Sequence, residues 1–446
     1  MERGQFSSKI GFIMAAAGAA VGLGNIWGFP TQVASNGGAA FVLVYLILAF
    51  CLAYPALMAE MIVGRSARAN AVKALPELTD KPILKQFGRL VGLTGLLTVA
   101  VILSFYAIIA GWLFSFSLAP IASLVVDSHW LTDFSLERNI IFTLLFMVAT
   151  ILIIAQGVSS GIERWSKRMM PALIAILLLL IAYMLTLPGA MKGLTHYLVP
   201  DFSLVFKGGL IISALGQAFF SLSLGVGCML IYGSYLSSKE NIVKVGAWVT
   251  LIDVGLAFIA GLLIIPVMYI AAHHGVEIFD KQGALINGDT LIFNVLPALF
   301  EQMGDIGQFV AFLFFLLMSL AGLTSSISLL EVPVAYVVES HGVARKKASW
   351  VIGGLITLLS LTIVFNFDWL FGLVIMVTTQ YSQPVLGLFF CLFAGWVWHR
   401  DHALAEIKKG YPEAEQSLFW KIWPWYVRFV CPVFIIVMFI NALIGS

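Results

Sequence analysis

Charge is what this sequence is short of. Of its 446 residues only 11% are Asp, Glu, Lys or Arg, while 61% are hydrophobic. Soluble domains carry about 25% charged residues, so a water-soluble globular protein is excluded and an integral membrane protein indicated. Cysteine is scarce too. Cys51, Cys228, Cys391 and Cys431 all fall in apolar stretches and lack zinc-like spacing, which indicates neither a disulfide framework nor a zinc site. The seven histidines sit in loops or at the ends of apolar runs. With no membrane-embedded Ser/His pair or metal set, an enzyme is not expected, and His399/His402 read as part of a solvated loop. A channel would show a repeated selectivity filter or an acidic ring, and neither is visible. The net charge of +2 says little by itself, and no nucleic-acid partner is expected.

What the chain has is long apolar runs. Runs of the roughly 20 residues that cross a bilayer lie near 10–34, 40–64, 90–119, 139–156, 166–187, 209–236, 242–272, 306–338, 348–366, 369–398 and 426–445. The first lacks a cleavage site after a short apolar core and reads as a retained helix, not a signal peptide. Of the 25 Lys and Arg, all but Arg138, Lys192, Lys207 and Lys281 lie in the loops or span ends at 1–9, 64–89, 157–168, 237–244, 339–347 and 398–428. That asymmetry predicts a cytoplasmic N-terminus and, with an odd number of spans, an extracytoplasmic C-terminus. The segment 273–305, with His273, His274, Glu277, Asp280, Asp289 and Pro297, then becomes the largest external loop.

Two spans contain residues that a regular membrane helix avoids. Residues 18–30 carry Gly18, Gly22, Gly24, Asn25, Gly28 and Pro30; residues 216–228 carry Ser221, Ser223, Gly225 and Gly227. Backbone polar groups in hydrocarbon must be paired, so a break is tolerated only where it is buried in protein or lines a cavity. Freed carbonyls and helix ends then hold cations and ligands. Glycines such as Gly18/Gly22 and Gly157/Gly161 also serve close helix packing. Two such stretches five spans apart, each with side-chain oxygens beside the glycines, point instead to a binding site between two inverted halves. The expected architecture is all-α, with a first repeat over about 10–187, a second over about 209–398, and an eleventh helix at about 426–445 in a single transporter domain 1–446.

Span 8 adds a hydroxyl cluster, Thr324, Ser325, Ser326 and Ser328, able to offer oxygen ligands to a hard cation. Intramembrane acids are costly and functional by default; Glu60, Asp253 and Glu331 stand out, with no Lys or Arg inside a span to pair with them. Asp253 suits a cation. Glu60 suits the freed N–H groups of a broken helix. Glu331 has no evident partner.

Together these features resemble the neurotransmitter:sodium symporter family, the group with the LeuT fold, over nearly the whole chain. The resemblance rests on Gly18–Pro30 followed by Asn36-Gly-Gly, on Gly-Ile-Glu-Arg at 161–164, on Gln217–Gly227 and on Ala321–Ile327. It implies a LeuT-like 5+5 inverted repeat with broken helices 1 and 6, in a bacterial inner (plasma) membrane. Two sodium sites are implied. One comprises Ala20, Asn25, Ser221 and Asp253 with the substrate carboxylate, the other Gly18, Val21, Ala321, Thr324 and Ser325. The implied substrate is an amino acid. Its carboxylate would meet Gly24 and Tyr106, and its amino group the carbonyls of Ala20, Phe220 and Ser221. Ile102, Phe220, Ser223, Val226, Ser325 and Leu329 would line its side-chain pocket. Phe220 and Tyr106 are implied as the outer lid, and Arg3, Tyr235 and Glu339 as the inner gate. Gly161 and Pro171 match a signature at which the family's fifth helix unwinds.

The departures are specific. Gly28 stands at the family's outer-gate arginine although the partner acid persists as Asp368, so aromatic packing with Trp27 should close the entrance. Asp253 replaces a common asparagine, which suggests transport without chloride. Val226 replaces a commonly aromatic residue, which suggests a bulky apolar or aromatic amino acid; another small zwitterion or amine is the alternative. The oligomeric state is left open.

Overall fold

The computed structural model describes residues 4–125, 128–276, 278 and 291–444. Arg3 and, in the external loop, Glu277, Asp280 and Asp289 lie outside the described residues. Long apolar runs without competing water fold as helices because every backbone group must be paired within its own segment. Among the described residues nine helices are long and apolar enough to cross a membrane, ten if one bent pair is counted as a span.

That pair is α1 (Lys9–Ala20) and α2 (Gly24–Ser35), which meet at 57°. The continuous helices are α3 (Ala39–Ala67), α4 (Pro82–Ala122), α5 (Leu136–Ala155) and α6 (Val158–Met184). After α7 (Gly208–Ser221) and α8 (Cys228–Tyr235), the two arms of the other interrupted span, comes α9 (Ile242–His273). The chain continues with α10 (Gly304–His341), α11 (Arg345–Phe365), α12 (Phe367–Val397), the short α13 (Arg400–Lys408) and α14 (Leu418–Ile444). Each expected span finds its helix or helix pair. The largest boundary differences are at α4, α6 and α14, each of which begins eight residues earlier than its apolar run suggests.

α1 is the centre of the bundle and packs against α6, α9 and α10, so residues of both halves surround it. α4 and α10 share the most extensive helix contact. α3 and α8 approach at backbone distance: a Cβ on Gly64 would lie 1.9 Å from the Leu230 carbonyl oxygen, and one on Gly233 would lie 2.4 Å from that of Met61. In a bilayer, where burial from water drives little, such close packing of small residues supplies the attraction.

At α6 the structure differs from the expected unwinding. The chain stays helical from Val158 to Met184, with a wide turn over Val158–Glu163 and Pro171 inside the regular part. The N-terminal segment braces this turn. Glu163 accepts hydrogen bonds from the Ser7 amide at 2.7 Å, the Ser7 hydroxyl at 2.7 Å, the Ser8 hydroxyl at 2.9 Å and Lys167 at 2.7 Å.

Candidate functional site

The first break falls at Val21–Leu23. Val21 is extended (φ −69°, ψ 108°), and the helix resumes through a wide turn over Gly24–Gly28. The second break spans the residues between Ser221 and Cys228. Gly225 there sits at φ +82°, and a Cβ would lie 2.2 Å from the Gln383 carbonyl oxygen. Only glycine meets both conditions. Ser223 holds φ +51° without being glycine, and its hydroxyl donates to the Ala19 carbonyl at 3.3 Å, joining the two breaks. Such a conformation is uncommon for a side-chain-bearing residue and gathers at functional positions.

Side chains from other helices satisfy the backbone groups that the breaks release. Glu60 Oε1 accepts from the Gly225 amide at 2.7 Å. Gln383 Nε2 donates to the Leu224 carbonyl at 2.9 Å, and Gln217 Nε2 to the Gly24 carbonyl at 3.0 Å. In a medium without water each such group would otherwise be left unpaired at a cost of about 1–3 kcal/mol.

Two oxygen clusters flank the first break. In one, Asn25 Nδ2 donates to Asp253 Oδ1 at 2.7 Å, to the Asp253 carbonyl at 3.2 Å and to Ser221 Oγ at 3.0 Å. Ser221 Oγ in turn donates to Asp253 Oδ2 at 2.8 Å, and Tyr45 donates to Ser221 at 3.2 Å. Asn25 and Asp253 are wholly buried, and no cation pairs with Asp253 among the described residues. In the other, Ser325 Oγ donates to the Val21 carbonyl at 3.1 Å; Thr324 Oγ1 lies 3.4 Å from that carbonyl and 2.9 Å from that of Ala321. The open face of Gly18 lies against Thr324. This second set is oxygen-rich and carries no charged side chain. No group of three His, Cys, Asp or Glu suited to a metal occurs among the described residues. Both donor sets therefore fit a small hard cation held by hydroxyls, carbonyls and at most one carboxylate, and not a soft metal.

Beside these clusters lies a cavity of about 380 Å³. Ala20, Gly24, Ile102, Tyr106, Phe220, Ser221, Ser223, Val226, Ser325 and Leu329, expected from distant parts of the chain, all line it. Its polar end is the broken backbone, where Tyr106 OH accepts from the Leu23 amide at 3.3 Å. Its apolar lining comprises Ile102, Val226, Leu329 and residues that sequence reasoning did not name: Phe105, Ile109 and Ile375. Gln383, also in the wall, was missed as well. Phe220 is 42% exposed, so it stands over the cavity without sealing it.

The two sets of residues expected as gates are arranged unequally. At one end Trp27 meets Phe293 edge-on with ring centroids 6.1 Å apart, and Phe293 lies 5.7 Å from Trp112. Trp112 also packs on Phe367 and Phe371, and these two stack at 4.4 Å. Gly28 is in the cavity wall, while Asp368 is exposed at the start of α12. At the other end Tyr235 donates to Glu331 Oε1 at 2.6 Å, and Glu331 forms an ion pair with Arg345. The expected lack of a basic partner for Glu331 is thus corrected. Arg345 begins the next helix, three residues before its apolar run, and reaches back while its Nε donates to the Ile154 carbonyl at 2.9 Å. Glu339 accepts from the Asn70 amide at 3.0 Å and from its side chain at 2.8 Å.

Comparison with known proteins gives a consistent result. A family model described as the sodium:neurotransmitter symporter family matches residues 3–137 and 133–446. An uncharacterized sodium-dependent transporter of Bacillus subtilis, YhdH, is 36% identical, with 98% of this chain and 97% of that protein aligned. The taurine transporter of Canis lupus familiaris, named sodium- and chloride-dependent, is 26% identical over 76% of this chain and 61% of its own. Among solved structures, that of MhsT in complex with L-phenylalanine superimposes with a TM-score of 0.83 at 35% identity, covering 99% of this chain and 100% of that one. The fold is therefore that of LeuT, with broken helices 1 and 6.

Proposed function

The chain belongs to the sodium:neurotransmitter symporter family, a family of transporters and not enzymes, and from that premise we propose that it imports a bulky apolar or aromatic amino acid. The observation that carries this reading is the cavity itself. One end presents the amides and carbonyls of two broken helices, suited to an α-amino and α-carboxylate group. The rest of its lining includes the apolar side chains of Ile102, Val226, Leu329, Phe105 and Ile109. Phenylalanine in the complex of the similar MhsT supports the same class of side chain.

Sodium enters as a co-transported substrate. We place one ion at Ala20, Asn25, Ser221 and Asp253 with the substrate carboxylate, and a second at Gly18, Val21, Ala321, Thr324 and Ser325. At the first, the Asn25 carboxamide must turn its oxygen inward, because its nitrogen now faces Asp253. At the second, the hydroxyls need only rotate their hydrogens away. Both ions would tie α1 to the surrounding helices and so couple occupancy to the alternating opening of the two ends. Asp253 supplies the fixed negative charge that chloride supplies in chloride-dependent relatives, so transport proceeds without chloride. The protein is a multi-pass membrane protein; the likeness to a Bacillus subtilis transporter supports a bacterial plasma membrane, and the Lys and Arg distribution supports an N-terminus in the cytoplasm. We assign the two repeats to about 10–187 and 209–398.

Uptake by proteoliposomes tests the reading. Substrate accumulation should vanish when sodium is replaced by choline, and phenylalanine, tryptophan and leucine should compete where glycine does not. A methylene in an apolar pocket discriminates by about 1–3 kcal/mol, so Val226→Phe should shift preference toward smaller amino acids. Displacement only by taurine, betaine or an amine would favour the alternative of a different zwitterion or amine.

A further inference from the structure

The segment between α12 and α14 folds back as α13 and, with the adjoining ends of α12 and α14, forms a shallow groove of about 80 Å³. Trp398, Trp420 and Trp425 are in its wall, along with Arg400 and Arg428. The Arg428 guanidinium lies 4.1 Å from the centre of the Trp396 ring, and that of Arg400 lies 5.4 Å from that of Trp420. Neither makes an ion pair among the described residues. The nearby acids are engaged: Glu415 by Lys408 at 2.5 Å, and Asp401 with His399 at 3.6 Å. A guanidinium held against an aromatic ring keeps its N–H edge available for a planar or tetrahedral oxyanion.

The groove is built on fixed supports. Buried Arg65 donates to Glu406 Oε1 at 2.8 Å and to the Glu406 carbonyl at 2.6 Å, which pins α13 to α3. Trp423 Nε1 donates to the Pro55 carbonyl at 3.0 Å and pins α14 to the same helix. Trp396 Nε1 bonds the Arg428 carbonyl at 2.8 Å and fixes the backbone of that arginine. Around it Trp396 is 52% and Trp425 62% exposed, beside exposed Leu418, Ile422 and Phe429. Exposed tryptophans at the ends of membrane spans mark the level of the lipid headgroups.

We propose that this groove binds the phosphate of an anionic phospholipid such as phosphatidylglycerol, with Arg400 and Arg428 as the paired ligands and the exposed Trp425 and Trp396 seating the glycerol and upper acyl chain. The charge complementarity and interfacial depth favour a lipid over a soluble anion, and basic pockets between membrane helices suit anionic headgroups. The proposal rests on the membrane-spanning fold and is independent of the transported substrate.

Native mass spectrometry of the purified full-length chain, titrated with phosphatidylglycerol or phosphatidylcholine, reads the affinity directly. The native protein should retain phosphatidylglycerol preferentially. Each of Arg400→Gln and Arg428→Gln should weaken retention about fivefold, and the double variant roughly 25-fold, from about 1 kcal/mol per interfacial cation. Phosphatidylcholine binding should not change. Equal retention of the two lipids by the native protein, or unchanged phosphatidylglycerol affinity in both single variants, would overturn the proposal. So would complete displacement of the lipid by millimolar inorganic phosphate, which would make the groove a site for soluble anions. The single variants keep the test decisive should the double variant not fold.

Discussion

The two oxygen clusters beside α1 use the same broken backbone, yet one contains a carboxylic acid group and the other only hydroxyls and carbonyls. Asp253 puts a carboxylate among Asn25, Ser221 and Tyr45, wholly buried and without a basic partner among the described residues. Val21, Ala321, Thr324 and Ser325 offer carbonyls and hydroxyls alone. A buried charge is expensive unless something answers it, whereas hydroxyls can bond their neighbours and wait. The difference teaches that the charged cluster has a standing demand for a cation and the neutral one does not. If both hold sodium, as proposed, the first should bind more tightly and order α1, and the second should complete the bundle once the first is filled.

Removing the charge is the strongest way to break that contrast. Asp253→Ala should lower sodium affinity about 100-fold or more, the scale of the roughly 3 kcal/mol seen when one member of a buried charge pair is lost. Asp253→Asn keeps the shape and removes the charge, so its sodium affinity should fall in gluconate medium while the native chain is indifferent to chloride. Sodium-dependent substrate binding in gluconate and chloride media measures both. A native protein that requires chloride would refute the role given to Asp253.

At the neutral cluster, the expected loss is smaller. Ser325→Ala removes one hydroxyl ligand and should weaken sodium-dependent uptake about tenfold, the effect of roughly 1–1.5 kcal/mol for one hydrogen-bonding group. Chloride should make no difference to it. A Ser325→Ala effect as large as that of Asp253→Ala would erase the distinction between the clusters. The same measurement on Thr324→Val gives an independent reading, because Thr324 approaches both Val21 and Ala321 carbonyls.

The sequence made the frame of this contrast legible, and the reasons are physical. Apolar runs locate membrane helices because the bilayer leaves the backbone no other partner, and Gly, Asn and Ser within such runs marked both breaks. The grouping of Ile102, Tyr106, Val226 and Leu329 came from the family resemblance, since spacing alone does not tell which faces of α4 and α10 meet the second break. Gln383 was invisible. Its partner, the Leu224 carbonyl, lies 159 residues away in sequence, and a glutamine near a proline in an apolar run has no signature of its own. Arg345 escaped because it lies outside its span and pairs with Glu331 across the turn between α10 and α11.

The smallest effect belongs to the acid at the other extreme of burial. Asp368 is exposed at the start of α12, and Gly28, where the family resemblance implies an arginine partner, is in the cavity wall. If the importance of Asp253 comes from burial, the same carboxylate chemistry in water should contribute little. An exposed ion pair is typically worth about 0–1 kcal/mol, and here even the usual partner is missing. The entrance instead has Trp27 against Phe293, Phe293 against Trp112, and Trp112 against stacked Phe367 and Phe371. Asp368→Ala should therefore change the uptake rate by no more than about fivefold. Tyr106→Phe, which removes the hydroxyl that meets the Leu23 amide, should cost more. Gly28→Arg should create the absent pair and slow reopening of the entrance, visible as a lower uptake rate with unchanged sodium affinity. Loss of transport in Asp368→Ala comparable to that in Asp253→Ala would mean that burial does not set the weight of these two carboxylates.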